Sequence, residues 1–84
     1  QTFASLRQRV ARHLLDLAAC GAYGSRLLAP VTQQALADAV GSVRPAVAGI
    51  VAQLRREGLI ERTPGGVLVL DGVRLFEEAF TRVQ

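Results

Sequence analysis

The side chains in this 84-residue chain that could do chemistry are hydrogen-bond donors and cations rather than nucleophiles or bases. Thr32, Gln33 and Gln34 stand together just before one apolar-periodic stretch, and Arg44 stands at the start of a second. Thr32 is placed to cap a helix, its hydroxyl accepting a bond from a backbone N–H near Ala35. The free N–H groups of that first turn form the positive end of a helix, which is a phosphate-binding site. Exposed beside it, Gln33 and Gln34 can hydrogen-bond a phosphate or a base edge. Further on, Arg62 and Thr63 flank a Pro-Gly-Gly turn and offer one charge and one hydroxyl. This chemistry is recognition, not catalysis. His13 is the single histidine and Cys20 the single cysteine, with no partners at metal-ligand spacing. The chain lacks a base–nucleophile pair, paired carboxylates in an enclosed site and a glycine-rich phosphate loop after a strand. We therefore expect neither an enzyme nor a metal site. His13 reads as a half-exposed helix residue, and Cys20 as a small core residue at a helix end.

Composition sets further bounds. Eighty-four residues make one small domain with a modest core, and at 50% hydrophobic but 5% aromatic that core must be aliphatic. The apolar runs fall far short of the roughly 18 residues a membrane span needs, and the N-terminus carries no signal-peptide pattern. One cysteine cannot form an internal disulfide, which suits a reducing compartment, so a cytoplasmic location is expected. The net charge is +3, carried by arginine alone. Residues 1–31 hold four arginines against Asp16. Residues 32–63 hold Arg44, Arg55, Arg56 and Arg62 against Asp38, Glu57 and Glu61, and residues 64–84 are net negative. A nucleic-acid domain should carry its charge where phosphates lie. Here the excess sits upstream of the candidate residues, which argues for weak nucleic-acid binding.

The elements that must position these residues follow from spacing. Leu36, Ala37 and Val40 give one helix an apolar face; Val47, Ile50, Val51 and Leu54 give the next one the same. Gly41 falls where a left-handed C-cap is wanted, and Pro45 in a first turn, where its missing N–H costs nothing. Two short amphipathic helices around a glycine-bearing turn form a helix-turn-helix over 32–57. Gly58 ends the second helix, and residues 59–70 read as a hairpin around Pro64-Gly65-Gly66. Upstream, Phe3, Leu6, Val10, Leu14 and Leu17, widened by Ala11, Leu15 and Ala18, mark a leading helix within 1–20. Arg7, Arg9 and Arg12 lie off that stripe, on a solvated face. Residues 21–25 read as a loop over which Tyr23 packs. Residues 26–29 read as a short strand before Pro30 that Val31 could extend. Asp71 caps a last helix over 72–80, with Leu75, Phe76 and Phe80 docking on the core and Glu77 and Glu78 solvated. Helix, helix-turn-helix, wing and closing helix make residues 1–84 a single winged-helix domain, mainly α with a small β-hairpin.

The run Thr32-Gln-Gln-Ala-Leu-Ala-Asp-Ala-Val-Gly41, then Val43-Arg44, then Leu54-Arg-Arg-Glu-Gly-Leu-Ile60 and the hairpin up to Asp71 resembles the C-terminal domain of the Crp/Fnr regulators. Residues 9–18 resemble the helix that leads into that domain. The resemblance implies a winged helix-turn-helix whose leading strand joins the wing in a three-stranded sheet. It implies a transcription regulator that binds double-stranded DNA, with residues 44–57 as the recognition helix in the major groove. By that likeness Thr32 contacts the DNA backbone, and Arg44 reads a base, a bidentate guanine contact being worth about 1–3 kcal/mol of discrimination. The DNA-facing set is then Thr32, Gln33, Gln34, Val43, Arg44, Pro45, Ala48, Gly49, Arg62 and Thr63. Three positions depart from the family pattern: Pro45 stands where relatives often carry Glu, Gly49 where many carry a second Arg, and Val43 where Ser or Thr usually caps the helix. The opening at Gln1 is read as mid-helix, with an N-terminal sensor domain upstream; the likeness implies that this missing part binds a cyclic nucleotide or another effector, and that the full-length protein is a homodimer. No cofactor is expected in the domain itself. The bare outward face of Pro, Ala and Gly also fits a second reading: a degenerate winged helix serving as a protein-interaction or dimerisation module.

Overall fold

A computed structural model describes residues 5–20 and 27–80. Phe3, the loop 21–25 with Tyr23, Arg26 and the side chain of Cys20 lie outside the described residues. The order of elements is α1 (Leu6–Cys20), β1 (Leu27–Ala29), α2 (Gln33–Val40), α3 (Arg44–Arg56), β2 (Ile60–Thr63), β3 (Gly66–Val69) and α4 (Gly72–Phe80). The leading helix starts later than the sequence reading placed it. Ser5 caps it, accepting the Gln8 N–H on its hydroxyl at 3.1 Å, which sets Leu6 as the first helical residue.

The α2–α3 pair has the helix-turn-helix geometry its spacing predicts. Thr32 caps α2 through the Ala35 N–H at 3.1 Å. Gly41 adopts the left-handed conformation (φ 72°, ψ 40°), and the Ser42 N–H returns to the Ala37 carbonyl at 2.9 Å. The chain turns by 108° between the two helices. Their inner faces meet α1 in one aliphatic core that includes Val10, Leu14, Leu36, Val47, Val51 and Leu54, all essentially inaccessible. Each such side chain contributes about 1.5–3 kcal/mol by leaving water. Ile50 packs at the edge of this core and is only partly buried.

The sheet has the order β1-β3-β2, all antiparallel, with Ala29 and Arg62 both opposite Val67. The three-stranded sheet that the likeness implied is thus present. Strand β1 ends at Ala29 and does not take in Val31, because Pro30 has no N–H for the ladder and the Val31 N–H folds back to the Ala29 carbonyl at 2.8 Å. Gly66 sits where the wing crosses this corner, at φ +136°. A Cβ there would lie 2.8 Å from Pro30 Cα and closer still to the Ala29 carbonyl oxygen. Only glycine lets the base of the wing press so tightly on β1.

Helix α4 is capped by Asp71, whose carboxylate accepts the Arg74 N–H at 3.1 Å. Leu75 and Ala79 are its buried residues. Phe76 and Phe80 do not dock on the core as their spacing had been read; they are 56% and 42% exposed. Residues 75 and 79 are one turn apart and share a face, which leaves 76 and 80 about 100° round the helix. The two rings pack together instead, centroids 4.6 Å apart, and the Arg12 guanidinium lies 5.0 Å from the Phe80 ring centre.

Arg7 is also not the solvated residue expected. Its Nε donates to Glu78 at 2.7 Å, Nη2 and Nη1 grip the Glu57 carboxylate at 2.7 and 3.1 Å, and Nη1 also reaches the Gln53 side-chain oxygen at 3.0 Å. One guanidinium therefore ties α1 to α4 and to the C-terminal turn of α3, and Glu78 is an ion-pair partner rather than a solvated side chain. Hydrogen bonds donated to Glu78 and Glu57 hold the Arg7 guanidinium above its ordinary range, and Arg7 holds the Glu57 carboxyl below its ordinary value of 4.5. The helix-turn-helix is thus fixed at its far end as well as at its turn.

Two tests follow from these contacts. Gly66→Ala should destabilise more than Gly41→Ala in urea denaturation, because Gly41 has open space and costs only its left-handed strain, about 1–2 kcal/mol. Equal losses would mean that β1 can move away from the wing. The Glu57 carboxyl titrates lower in the folded state than in the unfolded one, so its contribution to stability is complete above about pH 4.5 and is lost as the pH falls through the lowered value. The stability gap between wild type and Arg7→Met should therefore narrow on acidification, and a gap independent of pH between 7 and 3 would show that the ion pair contributes nothing.

Candidate nucleic-acid interface

Five of the ten residues expected to meet DNA converge on one groove. Thr32 and Gln33 at the start of α2, Arg44 at the start of α3, and Arg62 and Thr63 on the wing line a hollow of about 260 Å³, floored by Leu36, Val51 and Val67. The core contacts of α2, α3 and the sheet bring these elements together, so the groove is a by-product of packing rather than a separate construction. Its donors are not equally available. Thr32 accepts the Ala35 N–H on its oxygen, which leaves its own proton for an acceptor outside. Thr63 does the reverse: its hydroxyl donates to the Gly66 carbonyl at 3.1 Å, inside the turn, so its proton is already committed. The wing hydroxyl is thus a poorer phosphate donor than its position implied.

The other five lie outside this groove. Gln34 is exposed on α2 and donates to the Asp38 carboxylate at 3.1 Å, one turn on. Val43 caps α3 with no side-chain hydrogen bond and is 65% exposed. Pro45 and Gly49 are exposed on the outer face of α3, and Ala48 is half-buried beside them. A Cβ on Gly49 would meet nothing within 4 Å, so no internal contact requires a glycine there. Gln53 of the same helix faces α1 and belongs to the Arg7 cluster.

Sequence reasoning missed Arg55. It lies about three turns after Arg44, which returns it to the same side of α3. It lines a second, shallow hollow of about 300 Å³ with Arg62, Thr63 and Pro64. The spacing from Arg44 could have revealed it. Among the described residues, Arg44, Arg55, Arg56 and Arg62 form no ion pair, whereas Arg7 is held by two carboxylates. The charge is therefore distributed differently from the segment totals: Arg7 is neutralised locally, Glu57 is neutralised with it, and the wing side of α3 keeps its cations. No group of three or more metal-ligating side chains occurs among the described residues, and no single helix there is long and apolar enough to cross a membrane.

A glycine-turned helix pair, a wing paired to a leading strand and a cationic side on the second helix define a winged helix-turn-helix domain. Residues 8–77 match the family model described as a Crp-like helix-turn-helix domain. The chain is 39% identical over 77 residues to the transcriptional regulator LdrP of Thermus thermophilus, a match that covers 88% of this chain and 40% of LdrP. Among solved structures it is similar to TTHA1359, a transcriptional regulator of the CRP/FNR family from Thermus thermophilus, with a TM-score of 0.84 and 34% identity over 94% of this chain and 42% of that one. It is equally similar to TTHB099, a CRP-family regulator from the same organism, with a TM-score of 0.84 and 36% identity over 98% and 44%. The chain spans about two fifths of the length of these relatives. It belongs to the Crp-like helix-turn-helix family, as a DNA-binding domain of the Crp/Fnr transcriptional regulators; the matched relatives are named transcriptional regulators.

Gly49→Ala should raise stability by about 1 kcal/mol in urea denaturation, since the site is an exposed helix interior with open space for the methyl group. A loss of stability would mean that α3 is not a regular helix at this point.

Proposed function

We propose that the domain binds duplex DNA with α3 entering the major groove N-terminus first, Arg44 at the base edges and the start of α2 on a flanking phosphate. The observation that carries this is the shared groove, in which Thr32 and Gln33 present donors and Arg44 and Arg62 present cations on one side of the molecule. The outer face of α3 contributes shape rather than hydrogen bonds. Pro45, Ala48 and Gly49 let the helix approach base edges closely and touch thymine methyl groups. Base discrimination then rests chiefly on Arg44, and affinity on phosphate contacts.

In the longer protein, two copies of the domain would read a two-fold site with half-sites about one helical turn apart. An effector would bind outside residues 1–84, and no cofactor takes part in the domain's own contact with DNA. The working location in this reading is the cytoplasm, where a regulator meets its DNA.

The test is fluorescence anisotropy with random duplex DNA at low and moderate salt, alongside selection from a randomised duplex pool. Wild-type affinity should fall steeply with salt. Arg44→Ala should weaken binding and erase a guanine preference worth about 1–3 kcal/mol. Failure of the wild type to bind at low salt would overturn the reading, and salt-insensitive binding would point to an apolar protein partner instead.

A further inference from the structure

The wing tip presents a difficulty for a domain whose affinity depends on phosphates. Residues 64–66 carry no cation, and the Thr63 hydroxyl proton is committed to the Gly66 carbonyl. Beside this tip, the fold builds a cleft from a different element. Arg55, in the last turn of α3, lines one shallow hollow together with Arg62, Thr63 and Pro64. Both arginines are exposed, and neither forms an ion pair among the described residues. The nearby carboxylate, Glu61, lines the neighbouring hollow with Arg55 and Arg56 and not this one. Two guanidinium groups lining one hollow that holds no carboxylate repel. An anion between them removes that repulsion and accepts from both.

Helix geometry shows where this cleft lies relative to DNA. Arg55 follows Arg44 by roughly 16 Å along the α3 axis, whereas the major groove is about 8.5 Å deep. With Arg44 at the base edges, the Arg55 backbone stands outside the groove rim, and its long side chain reaches back toward the bordering phosphates. We infer that the cleft between the last turn of α3 and the wing is a phosphate-binding site of the domain, in which Arg55 and Arg62 hold one backbone phosphodiester. Arg55 supplies the cation that the wing tip lacks. It contacts no base, so it adds affinity and register without sequence preference. This role rests on the DNA-binding reading above, and the experiment separates the two.

Affinity for random duplex DNA is measured by anisotropy across a salt series for wild type, Arg55→Gln, Arg62→Gln and Arg9→Gln. Arg9 is exposed on α1 and lines neither hollow, and its substitution removes the same charge. A cation that contacts a phosphate contributes about 0.9 to the slope of log affinity against log salt. Arg55→Gln and Arg62→Gln should each make the slope shallower by about 1, with sequence preference in pool selection unchanged. Arg9→Gln should leave the slope within error of wild type. Thermal melts of all four chains check that the fold persists. A slope for Arg55→Gln no shallower than that for Arg9→Gln overturns the cleft while wild-type binding stands. A change in selected sequence on Arg55→Gln also overturns it, because the arginine would then be reading a base. Absence of wild-type binding at low salt removes both the cleft and the DNA reading.

Discussion

The inward stripe of α3 is the constraint on which the rest depends. Val47, Val51 and Leu54 are fully buried against α1, α2 and the sheet. Once these three positions face inward, helix geometry leaves no freedom about the others. Arg44 and Arg55 must flank the wing, Gln53 must face α1, and Pro45, Gly49 and Arg56 must point outward. The same packing that provides most of the stability therefore decides which side chains can touch a ligand. The Gly41 turn and the Arg7 cluster fix the two ends of that helix, so the recognition face is held at both.

Much of this was legible because it is local. Thr32, Gly41, Gly58 and Asp71 act within one turn of their own positions, and cap chemistry is written in the residue type. The three-stranded sheet was legible only through likeness to a family, since three residues before a proline carry little signal of their own. What was not legible is non-local. Nothing in the spacing of Arg7 predicts that residues 46 and more positions away will meet it. Phe76 and Phe80 looked like core residues because aromatic rings usually are, but Leu75 and Ala79 already fill the inward face of α4. Thr63 looked like a free donor because a turn's internal hydrogen bond cannot be read from its composition.

The same distinction explains why segment charge misled. Counting by segment placed the positive excess upstream of the helix-turn-helix and suggested that the motif was nearly neutral. Ion pairs do not respect segments. Arg7, counted upstream, is neutralised by Glu57 and Glu78 from two other segments, and Glu57 is thereby removed from the account of α3. The hydrogen bonds and charge of that cluster also keep Glu57 ionised to lower pH than usual, so the neutralisation extends into mild acid. What remains along the wing side of α3 is a set of arginines with no ion pair among the described residues. The field a polyanion meets depends on these, not on the sum over a stretch of sequence.

A recognition helix with Pro45, Ala48 and Gly49 on its outer side alters the balance between affinity and specificity. Small residues allow close approach but make few hydrogen bonds, so in the proposed complex base readout would fall mainly to Arg44. Phosphate contacts then carry a larger share of the binding energy. Such contacts are salt-dependent and indifferent to sequence. Gly49 makes the same point from the side of stability: with open space around it, the helix gives up about 1 kcal/mol relative to alanine for no internal gain. A surface that forgoes stability at an outward position is consistent with close external contact there. A single domain of this kind would bind many sequences weakly. Pairing two copies on one duplex, as proposed for the longer protein, would double both the phosphate contacts and the arginine readout, and would make the spacing between half-sites a source of specificity that the helix surface itself does not provide.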